Sequence, residues 1–90
     1  MANHTVLLQS QPEKYYQKTP PKIAKALDDC LALLERDPRA RIGKIRKLKG
    51  YDHLYRYQIG YLRVIYEIHE DKKEVSVTAI LPRGDSYKNL

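Results

Sequence analysis

Three runs rich in β-branched and aromatic residues, LYRYQI, LRVIYEIH and EVSVTAIL, occupy most of the chain from Leu54 to Leu81. Only Gly60 and Tyr61 separate the first two, which suits a type II′ hairpin turn with glycine first. Asp71-Lys72 can turn the second hairpin. Tight turns set strand register, and register decides which side chains share a face. On this register Leu62, Val64, Tyr66 and Ile68 lie opposite Leu81, Ala79, Val77 and Val75, so one face is wholly apolar. The other face carries Arg63, Ile65, Glu67 and His69, opposite Ile80, Thr78, Ser76 and Glu74. Gln58 sits across from Arg63, with Arg56 beside them.

The first half of the chain supplies the layer that covers the apolar face. HTVLLQS reads as a short strand with Val6 and Leu8 on one side. Pro12 starts a short polar helix, PEKYYQK. TPP then breaks the chain, with Thr19 as N-cap and Pro20 at N1 of a second helix. In that helix Ile23, Leu27, Leu31 and Leu34 recur at helical spacing with Cys30 beside them, and Asp37-Pro38 ends it. Cys30 on this stripe reads as a small core residue rather than a reactive thiol. The fold class is α+β: a small antiparallel sheet with two N-terminal helices packed on one face, in a single domain spanning residues 1–90.

The chain ends in ILPRGDSYKNL, and its Arg83-Gly84-Asp85 matches a cell-adhesion tripeptide. One cysteine in 90 residues allows no intrachain disulfide framework, which a secreted module this small usually needs. The N-terminus has no signal-peptide pattern, and no run reaches the roughly 20 apolar residues of a membrane span. A cytoplasmic protein is expected, and the tripeptide is an accident of sequence. Formal net charge is +6 with a pI near 9.5, which favours a polyanionic partner. Residues 39–50, RARIGKIRKLKG, hold six basic side chains and no acidic one. They read as contacts to nucleic-acid phosphate, or more blandly as a solvated loop and helix end.

An open sheet face bearing Arg56, Gln58 and Arg63, with Arg83 leaving the adjacent strand, forms a cationic surface. Tyr87 follows Arg83 by four residues, close enough to reach that surface from a short turn. Cleaving RNA through its own 2′-OH needs a base, cations for the phosphorane, and a proton for the leaving 5′ oxygen. Arginine forks match phosphate oxygens. Tyrosine can be the base if nearby cations lower its pKa from about 10. Alternatively the arginines only solvate the face and Tyr87 caps the core. His4, His53 and His69 show no acid–base pairing, and His69 is expected to contact Glu74 across its hairpin. No metal-ligand cluster is evident, so neither metal nor small-molecule cofactor is expected. Tyr55, Tyr57 and Tyr66 read as core or near-core residues, which leaves Tyr61 in the turn as the base-stacking candidate.

KLKG, LYRYQIGYLRVIYEI and ILPRGDSY, taken together, resemble the RelE/ParE toxin superfamily over about residues 47–87. The resemblance implies a type II toxin held inactive by a cognate antitoxin, here an acidic protein. In the RelE branch it implies metal-independent cleavage of mRNA in the ribosomal A site. Arg63 matches the family's phosphate-stabilising arginine on the central strand, Arg83 the arginine after the last strand, and Tyr87 the C-terminal tyrosine. Arg56 falls where many members hold a basic residue, whereas Gln58 stands where a second basic residue is usual. Lys44, Arg46, Lys47 and Lys49 fit phosphate contacts to ribosomal RNA. Two rivals remain: a ParE-like gyrase inhibitor without nuclease activity, and a non-catalytic binding domain.

Overall fold

The three strand-like runs form the sheet's centre, and the helices follow from the proline punctuation ahead of them. The computed structural model describes residues 3–51 and 53–82. In chain order these form β1 (Thr5–Leu8), α1 (Ser10–Lys18), α2 (Pro21–Arg36), β2 (Ile45–Lys47), β3 (Leu54–Ile59), β4 (Leu62–His69) and β5 (Glu74–Pro82). The strands make a five-stranded sheet in the order β1-β5-β4-β3-β2. It is antiparallel except where β1 runs parallel to β5. Both helices contribute to the apolar layer on one face, and Tyr16 of α1 donates to Asp28 of α2 at 2.6 Å. Among the described residues no helix is long and apolar enough to cross a membrane.

The first hairpin closes as expected: Ile59 pairs with Leu62, and Gly60 takes φ +52°, a conformation glycine adopts without a Cβ penalty. The second turn centres on Asp71-Lys72 as expected but spans residues 70–73 between His69 and Glu74, with Lys73 in the left-handed region at φ 53°. α2 starts one residue later than predicted. Pro20 is extended at ψ 154° and serves as N-cap, and Pro21 is the first helical residue. The cause is local, because a residue preceding proline is driven out of the α region. α1 in turn begins at Ser10, ahead of Pro12.

Leu27, Cys30 and Leu34 of α2 are buried against Tyr57, Val64, Tyr66, Ile68, Val75, Val77 and Ile80. Tyr55 and Tyr66 lie on this inner face, their rings stacked at 5.7 Å, and the buried Tyr66 hydroxyl donates to the Pro38 carbonyl at 2.7 Å. Burial pushes the Tyr66 phenol well above its usual 10. Burial likewise pushes the Cys30 thiol up to about 12, with Lys44 pulling weakly the other way. A thiol so rarely ionised is core, not nucleophile.

Two larger features also depart from the sequence reading. The first is β2, a three-residue edge strand pairing Ile45 with Tyr57, Arg46 with Arg56 and Lys47 with Tyr55, in a stretch read as loop and helix end. Only Ile45 is apolar there, so no alternation announces it. The second is a β-bulge in β5. From Tyr66–Val77 to His69–Glu74 the pairing is as predicted, but Ile65 pairs with Ala79, Val64 with Ile80 and Arg63 with Leu81, leaving Thr78 as the extra residue. Its hydroxyl donates to the Ile65 carbonyl at 3.3 Å. An extra residue flips every later side chain to the other face. Ile80 therefore joins the main core, and Ala79 and Leu81 move to the arginine face. Beyond the end of β1, the Gln11 side chain serves as partner to β5, accepting from the Ile80 N–H at 2.8 Å and donating to the Ile80 carbonyl at 2.9 Å.

The far hairpin is tied down by charge. Glu70 Oε1 accepts from His4 Nε2 at 2.8 Å and from Arg39 Nη1 at 2.7 Å, linking the N-terminal segment, the α2–β2 loop and the β4–β5 turn. His69 pairs with Glu74 in register, but its ring meets Glu67 of its own strand at 3.2 Å, not Glu74. The hydrogen bonds from His4 and Arg39 lower the Glu70 pKa from about 4.5 to about 2. A depressed carboxylate pKa adds stability above the unfolded value and loses it as pH falls through the folded one. The urea midpoint of the wild type should therefore exceed that of Glu70→Gln above pH 4.5 and converge on it as pH approaches 2. A constant gap down to pH 2 would show that the ion cluster contributes nothing of this kind.

Candidate functional site

Side-chain alternation along β3 and β4 places Arg56 and Gln58 beside Arg63 and Ile65 on the face away from the helices. β2 adds Arg46 to the same face, directly opposite Arg56. Directly opposed residues have Cβ atoms roughly 4.5–5.5 Å apart, and like charges there cost stability. Arg63 is a diagonal neighbour of Arg56, at a spacing of roughly 7–8 Å. Three arginines thus converge on an open sheet surface with no described acidic partner within ion-pair distance. Such an arrangement is stabilised by an anion.

The surface is not purely cationic. Leu54, Ile65, Ala79 and Leu81 form a second buried cluster on it, against which Leu48 and Tyr51 pack from the loop between β2 and β3. The bulge creates this cluster by turning Ala79 and Leu81 outward, so strict alternation had hidden it. Its consequence is electrostatic. Arg56 and Arg63, both half-buried, stand beside this apolar cluster on the same face, and a less polar surround strengthens their attraction for an anion.

Gln58 is held on both sides. Arg56 Nη1 donates to its Oε1 at 2.6 Å, and its Nε2 donates to the Gly60 carbonyl at 2.5 Å. The sequence marked Gln58 only as a missing charge; these bonds depend on side-chain conformation and leave no signature in residue spacing.

The remaining basic candidates are dispersed. Lys47 shares its strand face with Ile45, on the helix side, and Lys49 lies in the loop beside Gly50, whose φ is +83°. Lys44 precedes β2, where its carbonyl accepts from the Gln58 N–H at 2.8 Å, and its charge acts on the Cys30 thiol. Tyr61 is exposed in the hairpin turn, near enough to Tyr15 to add to burial in raising that phenol's pKa. Of the predicted set, Arg46, Arg56 and Arg63 share one face, while Lys44, Lys47, Lys49 and Tyr61 do not converge on it. Arg83 and Tyr87 lie outside the described residues. Among the described residues no group of three or more His, Cys, Asp or Glu side chains could hold a metal ion.

Comparison with known proteins bears on the family and the fold. The model for the ParE toxin of type II toxin–antitoxin systems matches residues 6–87. The RelE1 toxin candidate of Methanocaldococcus jannaschii is 32% identical over 71 residues, covering 78% of this chain and 79% of that protein. The RelE–RelB complex of Pyrococcus horikoshii contains a chain that superposes with a TM-score of 0.81 at 28% identity, covering 93% of this chain and 99% of that one. The isolated RelE toxin of Escherichia coli shares the fold with a TM-score of 0.78 at 18% identity, over 96% of this chain and 90% of that one.

Proposed function

Because the chain belongs to the RelE/ParE superfamily of type II toxin–antitoxin toxins, we propose that it is a ribosome-dependent endoribonuclease that cuts mRNA in the ribosomal A site. The observation that carries this reading is the arginine face, with Arg46, Arg56 and Arg63 gathered beside a buried apolar cluster. A surface built for phosphate suits catalysis on RNA. In this scheme the 2′ oxygen attacks the adjacent phosphorus as Tyr87 takes its proton, and the phosphorus–5′-oxygen bond breaks. The products are a 2′,3′-cyclic phosphate and a 5′-hydroxyl end, the leaving oxygen having gained a proton. Arg63 and Arg83 hold the dianionic phosphorane, and Arg56 assists binding or proton transfer. No metal enters the scheme.

The antitoxin is proposed to be an acidic protein that covers this face. The RelE relative from Pyrococcus horikoshii is seen in complex with RelB. The basic residues away from the face, Lys44, Lys47 and Lys49, would serve ribosomal RNA through salt-sensitive phosphate contacts. That setting is the cytoplasm.

A translation extract supplied with purified protein, with transcript 5′ ends mapped, tests the reading. Cuts confined to ribosome-bound message are expected. The family model that matches is that of ParE, and it favours a second reading, inhibition of DNA gyrase by binding alone. Intact message together with a block in a supercoiling assay would establish that reading and end the first.

A further inference from the structure

We propose that Gln58 is a positioning residue that fixes the guanidinium of Arg56 over the phosphate site, a role that rests on reading this face as the phosphate site. Its two hydrogen bonds form a chain from the hairpin turn to the arginine: Gly60 carbonyl, Gln58 amide, Arg56 Nη1, at 2.5 and 2.6 Å. The amide can be oriented only one way. Its oxygen must face the guanidinium, which only donates, and its nitrogen must face the carbonyl, which only accepts. The turn end of this chain is rigid, because Gly60 sits in a two-residue loop closed by the Ile59–Leu62 pair. Arginine gives up substantial rotamer freedom when a substrate orders it. Gln58 removes part of that cost before RNA arrives.

Residue chemistry explains why glutamine, in particular, serves here. Position 58 is flanked by Arg56 two residues back and Arg63 directly across. A lysine would offer only donors, could not accept from Arg56, and would repel both neighbours. A glutamate would accept from Arg56 but neutralise it and confront the Gly60 carbonyl with a second acceptor. Glutamine accepts on one side and donates on the other without consuming the charge that phosphate needs. Glutamine here forgoes a further cation on this face and gives better control of one already present.

The test compares wild type, Gln58→Leu and Gln58→Glu by NMR of the arginine Nε–Hε groups and by cleavage in the translation extract. Gln58→Leu keeps most of the volume and removes both bonds. It should make the Arg56 side chain mobile while the Arg63 signal and the backbone spectrum stay as in wild type. Gln58→Glu should keep Arg56 ordered through the retained acceptor. Cleavage by Gln58→Leu should fall roughly tenfold, the scale of one hydrogen bond to a charged group. An equally ordered Arg56 in wild type and Gln58→Leu would overturn the proposal whatever the cleavage result. A mobile Arg56 with undiminished cleavage would overturn its catalytic relevance. If the wild type cuts nothing, the nuclease reading fails by itself, and affinity for a short single-stranded RNA decides between the variants: unchanged affinity in Gln58→Leu refutes a role at the phosphate site.

Discussion

Arg63→Ala is expected to lower RNA cleavage by about a hundred- to a thousandfold, the usual cost of removing one preorganised donor to a developing anion. Arg63 sits on the central antiparallel hairpin with Gln58 on one side and Leu81 on the other, and its own strand continues into the buried Ile65. Strands on both sides fix its position before substrate binds, so little reorganisation is needed as charge builds on the phosphorane. The loss should fall mainly on kcat, because the negative charge is greatest in the transition state. Arg63→Lys should recover only part of the rate, since an ammonium keeps the charge but lacks the fork. The side chain is half-exposed, so the melting temperature should barely move. Single-turnover cleavage of ribosome-bound message measures the effect. Full activity in a folded Arg63→Ala protein would remove the phosphate site from this face.

Leu27→Ala is expected to cost about 2–5 kcal/mol of stability. Leu27 is 1% exposed at the middle of the α2 stripe, within the cluster that joins the helix to β3, β4 and β5. A domain of this length has a total stability of only about 5–13 kcal/mol. The loss should lower the melting temperature by on the order of 20 °C. Leu7 supplies the control: it is 46% exposed on β1, and its replacement by alanine should stay within about 0.5 kcal/mol. Urea unfolding of both variants, with slopes compared, separates a stability change from a change in the unfolded state. A cost below about 1 kcal/mol at Leu27 would mean that the helix does not close-pack on the sheet there.

The parts of the fold that could be read from sequence were those governed by strong local rules. Gly60 between two apolar runs could hardly be anything but a tight hairpin turn. Ile23, Leu27, Leu31 and Leu34 kept helical period with Cys30 beside them, and the α2 stripe followed, with Leu27, Cys30 and Leu34 the most buried. Even the site's central pair, Arg56 and Arg63, came from alternation alone, because no irregularity interrupts β3 or that end of β4. What escaped lacked a local signal. β2 is three residues long and mostly charged, and it exists because β3 offers it an edge. The Thr78 bulge depends on how β5 fits between β4 and the Gln11 side chain, a tertiary matter. The apolar cluster beside the arginines went unseen with it. Gln58 was visible as a residue, but its purpose lies in its rotamer.

The parallel pairing of β1 with β5 also has a consequence for how this protein comes into being. Thr5 pairs with Glu74, and Gln11 meets Ile80 across 69 positions of sequence. Contacts of such high order cannot form on a chain that is still being made, and they close slowly afterwards. A ribosome adding roughly 5–20 residues per second must therefore synthesise past Val77 before the first strand finds its place. Truncated products lack a completed sheet and the rigid arginine face that goes with it. Topology thus delays completion of the sheet until its last strand has been made.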